Sequence, residues 1–146
     1  MLRLKFSEFS ESRWLELKPY MDTCLLPITG LTGTELPHEA TAELEKLRDL
    51  MDRIEIPFKG RIVTYPASHY ADTDNADLAA ERLCRSLKQA GFRFVIMVTA
   101  SRFLKLSAPS SDLIVAPRDD GEWPDAADIA ADVRRLWAGE PPIEAI

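Results

Sequence analysis

The sequence predicts a small three-layer α/β/α sandwich around a mainly parallel sheet of about four core strands, with a flavodoxin-like or Rossmann-like topology. The most apolar run of the chain, residues 92–99, does not alternate between apolar and polar positions from Phe94 to Val98. A strand with this composition is covered on both faces, as in the middle of a parallel sheet. Three shorter apolar runs accompany it, and the segments between the runs can hold the helices that parallel strands require as crossovers.

The first core strand is expected at residues 23–28, with Pro27 at its end because proline has no amide hydrogen to give to a neighbouring strand. A short helix that Ser10 or Ser12 can cap precedes it. After it, residues 29–36 form a loop, and a helix begins near Pro37. The apolar positions of this helix recur at i, i+4, i+7 and i+11 and predict one buried face, formed by Leu44, Leu47, Met51 and Ile54.

The second core strand is expected at residues 61–65, because Pro66 ends its apolar run. A helix follows and ends at Gly91, a residue suited to a left-handed C-terminal cap. Its spacing predicts a buried line made of Ala76, Ala80, Leu83, Leu87 and Ala90, with Ala79 and Cys84 beside it.

The central strand, residues 92–99, leads into residues 100–106, for which the pattern allows either one or two helical turns or a loop. Residues 112–116 form the fourth strand. The last helix is expected to begin near Pro124 and Asp125 and to end at Gly139.

Length and composition indicate one α/β domain over residues 1–146, with residues 140–146 as a frayed tail. A net charge of −6 argues against binding to nucleic acid and against docking to an anionic membrane. No segment approaches the length of a membrane helix or of a secretory signal, which predicts a cytosolic protein. Cys24 and Cys84 both lie in apolar segments and are expected to be reduced core residues.

Ligands of doubly wound sheets bind outside the carboxyl ends of the strands, where the strand order reverses. We expect the strands to lie side by side in the order 61–65, 23–28, 92–99 and 112–116. The loops at their carboxyl ends carry the following candidate ligand-binding residues: Thr29, Gly30, Thr32, Gly33, His69, Tyr70, Thr99, Ser101, Arg102 and Arg118.

The loop over residues 29–34 could offer amide hydrogens to an anion or a nucleotide, because it follows a strand and leads to a helix. Its sequence is neither G-x-G-x-x-G nor a phosphate loop that ends in G-K-[ST]. A simple connector whose turns need glycine is therefore the favoured interpretation.

An enzymatic function would depend on His69, because an imidazole can act as acid or base near neutral pH. Ser68, Thr99, Ser101 and Arg102 are its candidate neighbours. No partner carboxylate can be assigned to His69, and the G-x-S-x-G frame of a nucleophile elbow is absent around Ser68. A histidine that is hydrogen-bonded to backbone is the favoured alternative.

No cofactor and no metal site is predicted. His38 and Glu39 begin like a zinc-binding helix motif, but Ala42 stands where a second histidine is needed. The acidic run near residues 119–132 lacks the spacing of a calcium loop. Acidic residues near a helix N-terminus are better explained by the helix dipole.

Three blocks of sequence together resemble the YpiF-like family, small uncharacterised proteins of spore-forming bacilli. The blocks are KPYMDTCLLP at residues 18–27, IPFKGRIVTYP at residues 56–66 and GFRF at residues 91–94. The resemblance implies a cytosolic bacterial protein, and it implies no activity, cofactor or site residue.

The sequence favours a non-enzymatic module that binds a protein partner or a small anionic ligand at the carboxyl edge of its sheet. The first alternative is a small hydrolase or transferase that uses His69. The second is nucleotide or anion binding by the loop over residues 29–34. The sequence leaves the oligomeric state open.

Overall fold

One all-parallel sheet of four strands organises the computed structural model, which describes residues 5–68, 76–102, 104 and 106–139. The strands are β1 (Thr23–Pro27), β2 (Ile62–Thr64), β3 (Phe94–Val98) and β4 (Leu113–Val115). They lie in the order β2-β1-β3-β4. This order confirms the predicted one and makes β1 and β3 the central pair.

Both faces of the sheet are covered by helices, so that the fold has three layers. On one face, α3 (Ala76–Gln89) packs Cys84 and Leu87 against Cys24 and Met97, and α1 (Glu11–Leu17) adds its partly buried Trp14. On the other face lie α2 (Pro37–Glu55) and α4 (Ala126–Ala138), whose apolar side chains pack with those of Leu25, Ile96 and Val98. Alternate residues of one strand enter opposite layers, which explains why residues 94–98 show no polar position.

The helix ends follow the capping residues of the sequence. The Ser10 hydroxyl accepts a hydrogen bond from the Arg13 amide at 3.2 Å, and the Asp125 carboxylate accepts one from the Asp128 amide at 3.0 Å. Gly139 ends α4 with a left-handed φ of 77°, a conformation that glycine adopts without steric strain. The predicted starts of α1, α2 and α4 and the predicted end of α4 are therefore confirmed.

The predicted buried lines of two helices need correction. Leu44 on α2 and Leu83 on α3 are exposed, at 41% and 37%. The buried line of α3 runs through Ala80, Cys84 and Leu87 instead, and Ala90 is exposed. Ala80 and Leu87 are buried as predicted, whereas Cys84 takes the place of Leu83 because its thiol contacts Met97 of β3.

The helix α2 is longer than the sheet on which it packs. Its 19 residues extend roughly 28 Å, whereas the five residues of β1 span roughly 17 Å. Residues 37–46, the first half of the helix, contain no buried side chain, and burial begins at Leu47. This half of α2 stands at the carboxyl edge of the sheet and forms a wall above it.

Two further expectations are settled by the structure. The described residues of the segment 100–106 form a loop without a helical turn, and Leu104 in that loop is buried. Cys24 and Cys84 are free and buried, as predicted. Among the residues that the structure describes, no helix has both the length and the apolar composition that crossing a membrane requires.

Candidate functional site

A cleft of about 550 Å³ opens at the carboxyl edge of the sheet, above the central strands. The strand order reverses between β1 and β3, and a crevice at this switch point is the usual ligand site of open parallel sheets. Loops from three strands meet there. Of the candidate residues predicted from the sequence, five line the cleft: Thr29, Gly30, Thr32, Ser101 and Arg102.

The other candidates lie elsewhere. Gly33 and Thr99 do not line the cleft, and Arg118 borders two smaller hollows beside β4, where its guanidinium pairs with Asp128 at 3.1 Å. His69 and Tyr70 lie outside the described residues. Ser68, a proposed neighbour of His69, is on the β2 side of β1, where its amide donates to the Pro27 carbonyl at 2.9 Å, and it does not line the cleft.

Two buried threonines shape the floor of the cleft from below. Thr29 follows β1 and Thr99 follows β3, and they are 5% and 0% exposed. Each hydroxyl accepts a hydrogen bond from the amide two residues further along the chain, Leu31 and Ser101, at 3.2 Å in both cases. Such turns redirect the chain at a strand end. The Thr99 hydroxyl therefore shapes the turn after β3.

The loops after β1 and β3 touch at Gly30. This glycine has a φ of +74°, and a Cβ added to it would lie 3.1 Å from Cβ of Ser101. That separation is shorter than ordinary van der Waals contact. Gly30 is thus required both by its left-handed backbone and by the close approach of Ser101.

Arg102 is held at the rim by a second glycine. A Cβ on Gly121 would lie 3.4 Å from the guanidinium carbon of Arg102, so the guanidinium lies directly against the backbone at Gly121. Gly121 belongs to a tight turn in which its amide donates to the Arg118 carbonyl at 2.8 Å. The turn between β4 and α4 thus positions the cation of the loop after β3.

The loop after β1 holds a carboxylate of its own. The Glu35 side chain accepts hydrogen bonds from the Thr32 amide at 2.9 Å and from the Gly33 amide at 3.0 Å. The Thr32 hydroxyl donates to the same carboxylate at 3.1 Å. Hydrogen bonds to the Thr32 backbone hold the pKa of Glu35 below its usual value, because they favour the ionised form.

The wall formed by α2 was missed by the sequence reasoning. Glu39, Glu43 and Lys46 on the first half of this helix line the cleft. Glu39 accepts a hydrogen bond from the Leu36 amide at 2.9 Å, and Lys46 pairs with Glu43 at 3.2 Å. The usable signal was the length of the helix, since a helix of 19 residues must extend past strands of three to five residues.

Apolar side chains complete the cleft. Leu31 and Leu104 are buried in its lining, and the half-buried Trp123 forms part of the opposite side. The guanidinium of Arg53 lies 5.3 Å from the centre of the Trp123 ring and donates to the Pro124 carbonyl at 2.6 Å. The chain before α4 is therefore tied to α2, and Trp123 has a fixed position.

Two carboxylates of α3 hold the segment that leads from the cleft to β4. Asp77 accepts a hydrogen bond from the Ser107 amide at 2.8 Å, and Glu81 accepts from the amide and the hydroxyl of Ser110 at 2.7 and 2.6 Å. The hydrogen bonds from Ser110 and the nearby Arg85 lower the pKa of Glu81 to about 2. This segment therefore depends on an ionised Glu81.

Within the described ranges, no three histidine, cysteine, aspartate or glutamate side chains come close enough together to hold a metal ion. The cleft combines apolar surface with carboxylates, two cations and backbone amides. This arrangement can enclose a small molecule with an apolar body and polar groups.

The fold and the cleft define a small parallel α/β protein with a crevice at its switch point. The chain belongs to a family of proteins of unknown function, DUF2487, whose model matches residues 12–118. The match includes the three sequence blocks on which the resemblance to the YpiF-like proteins rests. Comparisons with curated proteins and with solved structures give no significant match.

Proposed function

We propose that this protein is a non-enzymatic binding module whose site is the cleft at the carboxyl edge of β1 and β3. The observation that carries the proposal is the convergence of three loops on one crevice of about 550 Å³ at the switch point. A volume of this size suits a metabolite-sized molecule. The buried Leu31 and Leu104 and the ring of Trp123 would contact its apolar part.

The polar part of the ligand would meet Thr32, Ser101 and Arg102 at the rim. The contact between Arg102 and Gly121 supports this assignment, because it fixes a cation at the mouth of the cleft. A small anionic ligand therefore remains the predicted class. A protein partner, the other occupant expected from the sequence, would have to insert a side chain into the same cleft.

The experiment is a screen of small metabolites against ¹⁵N-labelled protein. We expect binders to shift the amide signals of Thr32 and Ser101 and the indole signal of Trp123. Ser101→Leu fills the cleft and should abolish these shifts. Ser86→Leu makes the same change at an exposed position of α3 and should leave them intact.

Shifts confined to other surfaces would contradict the proposed site, and turnover of a bound compound would contradict a non-enzymatic role. The enzymatic alternative still depends on His69. It is weakened by the burial of Thr99 and by the place of Ser68 outside the cleft.

We also propose a cytosolic location and kinship with the YpiF-like proteins. The free, buried Cys24 and Cys84 support the location, because the fold uses its thiols as core residues rather than as disulfides. The three blocks of residues 18–27, 56–66 and 91–94 support the kinship.

A further inference from the structure

The loop after β1 contains an anion-binding arrangement that is already occupied. Consecutive amides, those of Thr32 and Gly33, point at one carboxylate, and the Thr32 hydroxyl joins them. Concave groups of backbone amides with this geometry bind phosphate and carboxylate in many proteins. Here the bound carboxylate belongs to the chain itself, at Glu35.

We propose that Glu35 is an internal competitor, which occupies the amides of Thr32 and Gly33 until a small oxyanion in the cleft displaces it. The inference rests on the proposed function and names the anion-binding end of that site. Glu35, Thr32 and the rim cation Arg102 all line the cleft. An oxyanion that replaced Glu35 would thus sit inside it.

The exchange conserves hydrogen bonds, which is why displacement is feasible. The amides and the hydroxyl that leave the Glu35 carboxylate would regain charged acceptors on the ligand, and the released carboxylate would be hydrated. Thr32 and Gly33 are exposed and Glu35 is partly exposed, so that the release requires no rearrangement of the core.

The charges of the residues that line the cleft allow the effect of Glu35 on the loop amides to be separated from its effect on the net charge. Three carboxylates, those of Glu35, Glu39 and Glu43, face the two cations Lys46 and Arg102 among the lining residues. Removing one negative charge makes this lining neutral. Removing it at Glu35 by substitution with glutamine also weakens the hold on the amides, because one neutral acceptor replaces the carboxylate, whereas removing it at Glu43 leaves the Glu35 carboxylate on the amides.

This difference supplies a matched pair of variants. Glu35→Gln and Glu43→Gln make the same change of charge on the same side of the cleft. Glu43→Gln also deprives Lys46 of its partner, so simple electrostatics would favour anion binding by this variant at least as much. Tighter anion binding by Glu35→Gln than by Glu43→Gln is expected only if the anion takes the place of the Glu35 side chain on the amides of Thr32 and Gly33.

The test is a titration of each ¹⁵N-labelled protein with inorganic phosphate at constant ionic strength and pH 7. We expect the Thr32 and Gly33 amides of Glu35→Gln to shift, with a dissociation constant at least about tenfold lower than in the wild type and in Glu43→Gln. Glu35→Ala removes the competing acceptor altogether and should bind phosphate at least as tightly as Glu35→Gln.

Equal affinities of Glu35→Gln and Glu43→Gln, or phosphate shifts that omit Thr32 and Gly33, would overturn the inference. Failure of the proposed function is distinguishable, because the metabolite screen reports on Ser101 and Trp123 in the wild-type protein. Metabolite binding at the cleft without a phosphate effect in Glu35→Gln would refute only the role of Glu35.

Discussion

Substitution of Thr64 by valine tests the buried polar contact between α2 and the edge strand β2. The Thr64 hydroxyl donates to the Glu55 carboxylate at 2.7 Å, and the two residues are 3% and 4% exposed. The ammonium of Lys5 also lies 3.4 Å from this carboxylate. Valine has the shape of threonine and suits a strand, so the change removes the donor and little else.

The expected loss of unfolding free energy is about 2 kcal/mol, because hydrogen bonds to charged groups contribute roughly 1.5–3 kcal/mol. Lys5 cannot replace the lost donor, since its side chain is 44% exposed and its ion pair is screened by water. For a chain of this length the melting temperature should fall by roughly 4–8 °C. Lys5→Met is expected to cost less than about 1 kcal/mol.

Urea unfolding, followed by circular dichroism, measures the effect in two backgrounds. In Glu55→Met the buried Thr64 hydroxyl has lost its acceptor, so Thr64→Val should then be neutral or should raise the unfolding free energy. An equal loss in both backgrounds would refute the reasoning. It would show that the threonine hydroxyl stabilises the fold through some other contact.

Three further predictions concern the loops and the buried thiols. Gly30→Ala should lower the unfolding free energy by about 1–2 kcal/mol, because the φ of Gly30 is +74° and Ser101 is close. Gly60→Ala is the control, because a Cβ on Gly60 would meet nothing within 4 Å. Its unfolding free energy should differ from that of the wild type by less than about 0.5 kcal/mol. Glu81 has a folded-state pKa of about 2, below its ordinary 4.5, so its contribution to stability is present above pH 4.5 and lost as the pH falls toward 2. Glu81→Gln should therefore flatten the acid limb of a plot of unfolding free energy against pH, and an unchanged limb would contradict this assignment. Burial raises the pKa of Cys84 to about 11 and also raises that of Cys24. Neither thiol should therefore react with a thiol reagent at pH 8 until the protein unfolds. Rapid labelling of the native protein would contradict this prediction.

The sheet could be predicted from the sequence because its strands differ so clearly from the rest of the chain. The run from Phe94 to Val98 faces two apolar layers, and this alone required helices on both sides. Proline and glycine then marked the ends of elements, as Pro27 and Gly139 show. The order across the sheet was expected from a flavodoxin-like arrangement, because right-handed crossovers alone do not determine which strands are neighbours.

The composition of the cleft could be predicted only in part. Thr29, Gly30 and Ser101 follow directly from their positions at strand ends. Glu39 and Glu43 could not be placed there by periodicity, because a pattern reports which face of a helix is apolar and not how far the helix extends past the sheet. The occupation of the loop amides by Glu35 depends on side-chain direction, which the sequence pattern does not contain.

The two halves of α2 have different roles, because one half packs in the core and the projecting half lines the cleft. Residues 47–55 carry the helix's share of the apolar core, whereas residues 37–46 contribute none of it and still form one side of the cleft. Substitutions in the projecting half can therefore change the charge and shape of the cleft with little loss of stability. Within a single continuous helix, the lining of the cleft is free to diverge while the fold stays the same.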